Sequence, residues 1–136
     1  MTNSSALDNL VKTGKLKAEP ADQDEFKGLV TSAKHRLEDS RVESLSIESQ
    51  FDLAYGAAHA LALAALRMLG YRASSRYLVF QCLEHTLGLE KAKWRILDKC
   101  HKQRNLAEYE GHLEITPELL SALQEVATEL LTLLEQ

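Results

Sequence analysis

The sequence predicts an all-α protein, an up-and-down bundle of four to five helices, on three observations. Apolar residues recur at intervals of three and four through most of the chain. Only two prolines and six glycines interrupt 136 residues, which favours long regular elements. No stretch shows the alternation of apolar and polar residues that a half-buried strand would need. The length suits one sizeable core, so a single helical domain over 1–136 is expected, its core at about 21–134 and a weakly structured extension at 1–19.

Taken in order, Ser5 to Thr13 can form a short helix with Leu7, Leu10 and Val11 on one side, closed by Gly14. Pro20 then sits where a first-turn proline is tolerated, and Asp22, Asp24 and Glu25 favour the positive end of a helix dipole. Phe26, Leu29, Val30, Ala33 and Leu37 continue that helix at amphipathic spacing. Ser40 to Ser49 reads as a loop, with Ser46 an N-cap. From about Ile47 to Leu69 the chain is apolar nearly all round, as befits a central helix, and its alanines allow close approach of neighbours. Gly70 ends it. Ser74 or Ser75 caps a following helix carrying Tyr77, Leu78, Val79, Cys82 and Leu83, which stops at Gly88 and packs antiparallel to its predecessor. A further long helix runs from about Glu90 to Tyr109 or Glu110, with Ile96, Leu97, Cys100 and Ala107 inward and Gly111 closing it. Thr116 as N-cap, Pro117 at the first helical position and Glu118 behind it start the last helix. Its buried stripe is Leu119, Leu120, Leu123, Val126, Ala127, Leu130, Leu131 and Leu134, with Glu118, Glu125 and Glu129 toward water.

The opening residues Met1 to Ser5 lack the basic and apolar regions of a secretory signal, and the apolar run Ala54 to Leu69 contains His59 and Arg67 and is too short to span a bilayer. A cytoplasmic protein without membrane contact is expected. Cys82 and Cys100 have no Cys-x-x-Cys spacing and read as structural thiols, so no disulfide, metal or other cofactor is expected. Phosphate-loop, His-Glu-x-x-His and nucleophile-elbow motifs are absent, as are the Glu-x-x-His pairs of a di-metal bundle. No tight glycine turn precedes a basic recognition helix, which disfavours helix-turn-helix reading of DNA.

Charge is distributed unevenly. Lys91 to Arg104 holds six Lys or Arg and the single acid Asp98, whereas Asn105 to Gln136 holds seven Glu and no Lys or Arg. A basic helix beside an acidic one can attract a polyanion or pair with the acidic helix of the same or another chain, and charge alone favours pairing. Within the basic helix, Arg104 occupies the position where the stripe Leu97, Cys100 was due another apolar residue. A guanidinium there must meet an acid, sit in a cleft or point into an interface. His101, Asn105 and Tyr109 step by four along an adjoining face, and with Glu108 they gather polar groups on two turns. The plainer reading is a solvated face on which Arg104 and Glu108 form an i, i+4 pair. Tyr55 and His59, also four apart, can face a pocket, although a histidine in an Ala/Leu helix is more often a satisfied core residue.

The long Ala-rich helix, the helical hairpin and the run Arg104-Asn105-Leu106-Ala107-Glu108-Tyr109-Glu110-Gly111 resemble the HEPN domain family, over roughly Ala21 to Leu134. The resemblance implies a homodimeric helical bundle of the kind found in toxin-antitoxin or defence systems. Some members are metal-independent endoribonucleases, and others accompany a nucleotidyltransferase partner. The family's ribonuclease motif is an arginine, a polar residue, and a histidine after four to six intervening positions. Arg104 and Asn105 match its first half. Tyr109 stands at the shortest histidine spacing, and His112 follows seven intervening positions after Arg104. A tyrosine, with a pKa of about 10, is a poor base at neutral pH. The resemblance therefore implies a module binding a nucleotide, RNA or partner protein through His101, Lys102, Glu108 and Tyr109. The alternatives are cleavage by Arg104 and Asn105 with a displaced His112, His101 standing in reserve, or a purely structural helical dimer.

Overall fold

A computed structural model describes residues 4–111 and 114–136; the side chains of Ser4 and Glu108 are not included in that description. Its elements are α1 (Ser4–Lys12), β1 (Leu16–Ala18), α2 (Gln23–Asp39), α3 (Ile47–Met68), β2 (Tyr71–Ala73), α4 (Arg76–Gln81), α5 (Leu83–Thr86), α6 (Lys91–Glu110) and α7 (Pro117–Leu134). The architecture is mostly helical, and α3 is its centre: α2 and α7 pack along it, while α4, α5 and α6 close the remaining sides. Phe51, Ala57, Ala58, Leu61, Ala64 and Ala65 of α3 are fully buried, as an apolar helix with small side chains allows.

The expected caps form. The side chains of Ser46, Ser75 and Thr116 accept hydrogen bonds from the backbone N–H groups of Ser49, Leu78 and Leu119, and Gly111 closes α6 in the left-handed region at φ 76°. The second helix starts later than Pro20 suggested. Asp22 caps it, its carboxylate accepting from the N–H groups of Asp24 and Glu25 at 2.9 and 3.1 Å, so Pro20 lies before the helix.

Three expectations are corrected. The chain does contain strands: β1 and β2 pair antiparallel, with Leu16 opposite Ala73 and Ala18 opposite Tyr71. The N-terminal stretch is also no loose extension, because Leu7 of α1 is fully buried and Tyr71 Oη donates to Asp8 at 2.6 Å. Finally, the helix expected from Ser75 to Gly88 is divided at Cys82, where α4 ends and α5 begins without a side-chain cap. The apolar spacing runs through this break, which is why periodicity does not reveal it.

Arg67 anchors the N-terminal stretch. It is 1% exposed and fully engaged: Nε donates to Glu25 at 2.6 Å, Nη1 to the carbonyls of Glu19 and Tyr71, and Nη2 to the carbonyl of Pro20. Arg72 adds ion pairs to Glu19 and Glu25 at 2.8 and 2.7 Å. A buried guanidinium is tolerated because each nitrogen has an acceptor. These arginines hold the carboxyls of Glu19 and Glu25 below the usual carboxylate range, chiefly through hydrogen bonds from Arg72 to Glu19 and from Arg67 to Glu25.

The charge asymmetry is satisfied in part within the chain. Lys93 of α6 pairs with Glu129 of α7. Glu129 is therefore not simply on the water side of α7.

Candidate functional site

One face of α3, at the edge of the core, carries Asp52, Tyr55, Gly56, His59, Ala60 and Leu63, spaced as one stripe of a helix, with Tyr55 and Ala60 buried. This stripe floors a cleft of about 340 Å³. Leu29, Ser32 and Arg36 of α2 form one wall, and Arg76 of α4 and Arg104 of α6 form the other sides. Three guanidiniums from three separate elements thus reach one cavity, with Asp52 the only carboxylate among its lining residues.

Arg104 and Arg36 are each placed by a specific neighbour. Arg104 lies over the Tyr55 ring, its Cζ 5.3 Å from the centroid, and Nη1 donates to Asp52 Oδ1 at 2.6 Å. Its Nε has no hydrogen-bond partner. Arg36 crosses α3 at Gly56: a Cβ there would sit 3.1 Å from Arg36 Nη1, so glycine leaves the path this side chain takes. Arg76 opens α4 immediately after the Ser75 cap. Among the described residues, neither Arg36 nor Arg76 is in an ion pair.

The floor is tuned by burial and by these cations. His59 is lowered to about 4, first by desolvation and then by the positive fields of Arg76, His101 and Arg36, so it is neutral at pH 7. Burial also raises the Tyr55 phenol. Tyr55 Oη is 3.1 Å from His101 Nδ1, and His101 Nε2 is 3.2 Å from Asn105 Nδ2. Tyr55, His101 and Asn105 thus form a hydrogen-bonded chain whose donor directions follow the imidazole tautomer.

The residues singled out in the sequence divide into four groups. Arg104 is in the cleft and, as its position required, meets an acid there. His101 and Asn105 stand one and two hydrogen bonds behind Tyr55, away from the cavity lining. Lys102 pairs with Asp98 at 3.1 Å and Tyr109 is 88% exposed, so neither side chain lines the cleft. His112 and the side chain of Glu108 lie outside the described residues. Tyr55 and His59 meet both readings: each borders the cleft, while Tyr55 is buried in the core and His59 packs edge-on against Phe80. Arg36, Arg76 and Asp52 went unrecognised in the sequence. The available signal was the break in the apolar surface of the central helix at Asp52, Gly56 and His59, at intervals of four and three.

Cys82 and Cys100 are both buried, which pushes their thiols up to about 11 and about 12 and leaves little thiolate at neutral pH. Among the described residues, no group of three or more His, Cys, Asp or Glu side chains is placed to hold a metal ion, and no helix is long and apolar enough to cross a membrane. No protein-family model, curated protein or solved structure matches the chain.

Proposed function

We propose that this protein is a HEPN-like helical module that binds the phosphate of a nucleotide or of RNA in the cleft above α3, in a toxin-antitoxin or defence setting. The observation that carries this reading is the convergence of Arg36, Arg76 and Arg104 on one cavity whose lining offers them a single carboxylate. Guanidinium matches phosphate oxygens bidentately, and a half-enclosed site strengthens each charge-assisted hydrogen bond. Leu29, Leu63 and Ala60 supply an apolar wall for a sugar or base. A homodimer fits the same reading, because Leu106 and Tyr109, three residues apart on α6, present exposed apolar surface. A nucleotidyltransferase-type protein is the alternative partner for that surface.

The test is fluorescence anisotropy with a labelled 5'-phosphorylated RNA oligonucleotide. Each of Arg36→Ala, Arg76→Ala and Arg104→Ala should weaken binding about tenfold or more, since a hydrogen bond to a charged group contributes about 1.5–3 kcal/mol. Equal binding by the wild type and all three variants would remove the cleft from the function.

Endoribonuclease activity is the second reading, favoured by Arg104 standing beside the Tyr55–His101–Asn105 chain. In it Arg104 would stabilise charge on the scissile phosphate, and His101 would exchange protons through Tyr55. RNA degradation that is unchanged by Arg104→Ala and by His101→Ala would exclude it.

A further inference from the structure

Resting on that binding function, we infer that the cleft takes a terminal phosphomonoester, the dianion of a free nucleotide or of an RNA 5' end, whose phosphate replaces Asp52 at Arg104. Charge favours the dianion. Three guanidiniums face one carboxylate, and His59 is neutral at pH 7, which leaves two positive charges. A phosphomonoester carries a charge of about −1.5 to −2 at that pH, whereas an internal phosphodiester carries one. Exchanging the Asp52 carboxylate for a monoanionic diester swaps like for like at Arg104. A dianion gains on the exchange.

The Asp52–Arg104 pair is also placed to open. Asp52 is 55% exposed and Arg104 29%, so the carboxylate can turn into water when displaced, and breaking such a pair costs little. Asp52 places a single oxygen on Nη1. A phosphate bridging Nη1 and Nη2 would make the fork that one carboxylate oxygen does not. The cleft, of about 340 Å³, also has room for one phosphate with its sugar.

Calorimetric titration at pH 7 with three probes tests this: adenosine monophosphate (AMP), the dinucleotide pApA with a 5' phosphate, and ApA without one. AMP or pApA should bind about tenfold or more tightly than ApA, the loss of one charged contact setting the scale. Whichever of the two binds more tightly identifies free nucleotide or RNA end as the phosphate's source. Asp52→Asn should tighten AMP binding severalfold, and the gain should be smaller in the Arg104→Ala background. A carboxylate that merely repels the ligand would give the opposite order, because removing Arg104 leaves Asp52 unneutralised. Binding of none of the probes would defeat the binding function itself. ApA binding as tightly as AMP and pApA would leave that function standing and overturn the selection of a phosphomonoester. A gain from Asp52→Asn that is as large or larger without Arg104 would overturn the displacement.

Discussion

Arg67 and Arg104 are both arginines set among apolar residues of long helices, and the protein uses them in opposite ways. Arg67 is closed on every side: three carbonyls and the Glu25 carboxylate take its hydrogens, and 1% of it meets solvent. Arg104 is half used: one carboxylate oxygen sits on Nη1, the buried Nε has no partner, and the side chain borders a cleft. A guanidinium with all its donors satisfied by the fold serves the fold. One whose donors face a cleft that also holds two other guanidiniums is available to a ligand.

The contrast predicts different consequences for the same substitution. Arg67→Ala should destabilise the protein most, by about 3–5 kcal/mol in denaturant unfolding, because it strips a partner from a buried network. Arg104→Ala should cost under about 1 kcal/mol of stability, since its one ion pair is largely exposed, while weakening AMP binding. Comparable destabilisation by the two would erase the distinction.

Gly56→Ala sharpens it further. Alanine in place of a helical glycine should add about 0.5–1 kcal/mol of stability, yet its Cβ would press on Arg36 at 3.1 Å and shift that guanidinium. The expected result is a higher melting temperature with AMP binding weakened a few-fold. Unchanged affinity would mean that Arg36 does not act from the position it holds.

The two regions also differ in their response to acid. Glu19 and Glu25 have folded-state pKa values below the ordinary 4.5, so their contribution is present above 4.5 and is lost as pH falls through the lowered values. His59 has the same sign for another reason. Its folded value near 4 lies under the ordinary 6.5, the unfolded chain binds the proton more readily, and stability declines as pH falls from 6.5 toward 4. His59→Gln should flatten the unfolding free energy over that window and leave the lower acid limb to the glutamates. A slope that persists in the variant would assign it to another group.

The smallest effect on the monomer belongs to Tyr109→Ala. With 88% of the side chain exposed, stability should change by less than about 0.5 kcal/mol and AMP affinity not at all. A shift toward a smaller species in sedimentation would place Tyr109 in the proposed homodimer contact. An unchanged sedimentation coefficient would remove it from one.

Most of the fold was legible because helix signals are local. The apolar period through α2 and α7, the caps Ser46, Ser75 and Thr116, and the terminating Gly111 each lie within a few residues of what they determine. The β1–β2 pair was not, since three-residue strands carry almost no pattern and find each other across both α2 and α3. Of the candidate site, Arg104 was legible as a cation where the stripe required an apolar residue. Arg36 and Arg76 were not, because one reads as the polar side of an amphipathic helix and the other as an ordinary first-turn residue. Only the packing of α2 and α4 against α3 brings them together, and the sequence trace of that packing is Gly56, a gap in a helix otherwise filled with alanine and leucine.

The most direct test of the difference between the two kinds of arginine is an NMR correlation spectrum of the Nε–Hε groups recorded during titration with AMP. The Arg104 and Arg76 signals should move together and saturate at one dissociation constant, while the Arg67 signal, held on Glu25, stays where it was. Cleft signals that remain fixed while Arg67 moves, or an absence of movement anywhere, would contradict the assignment of ligand binding to the cleft and of structure to Arg67.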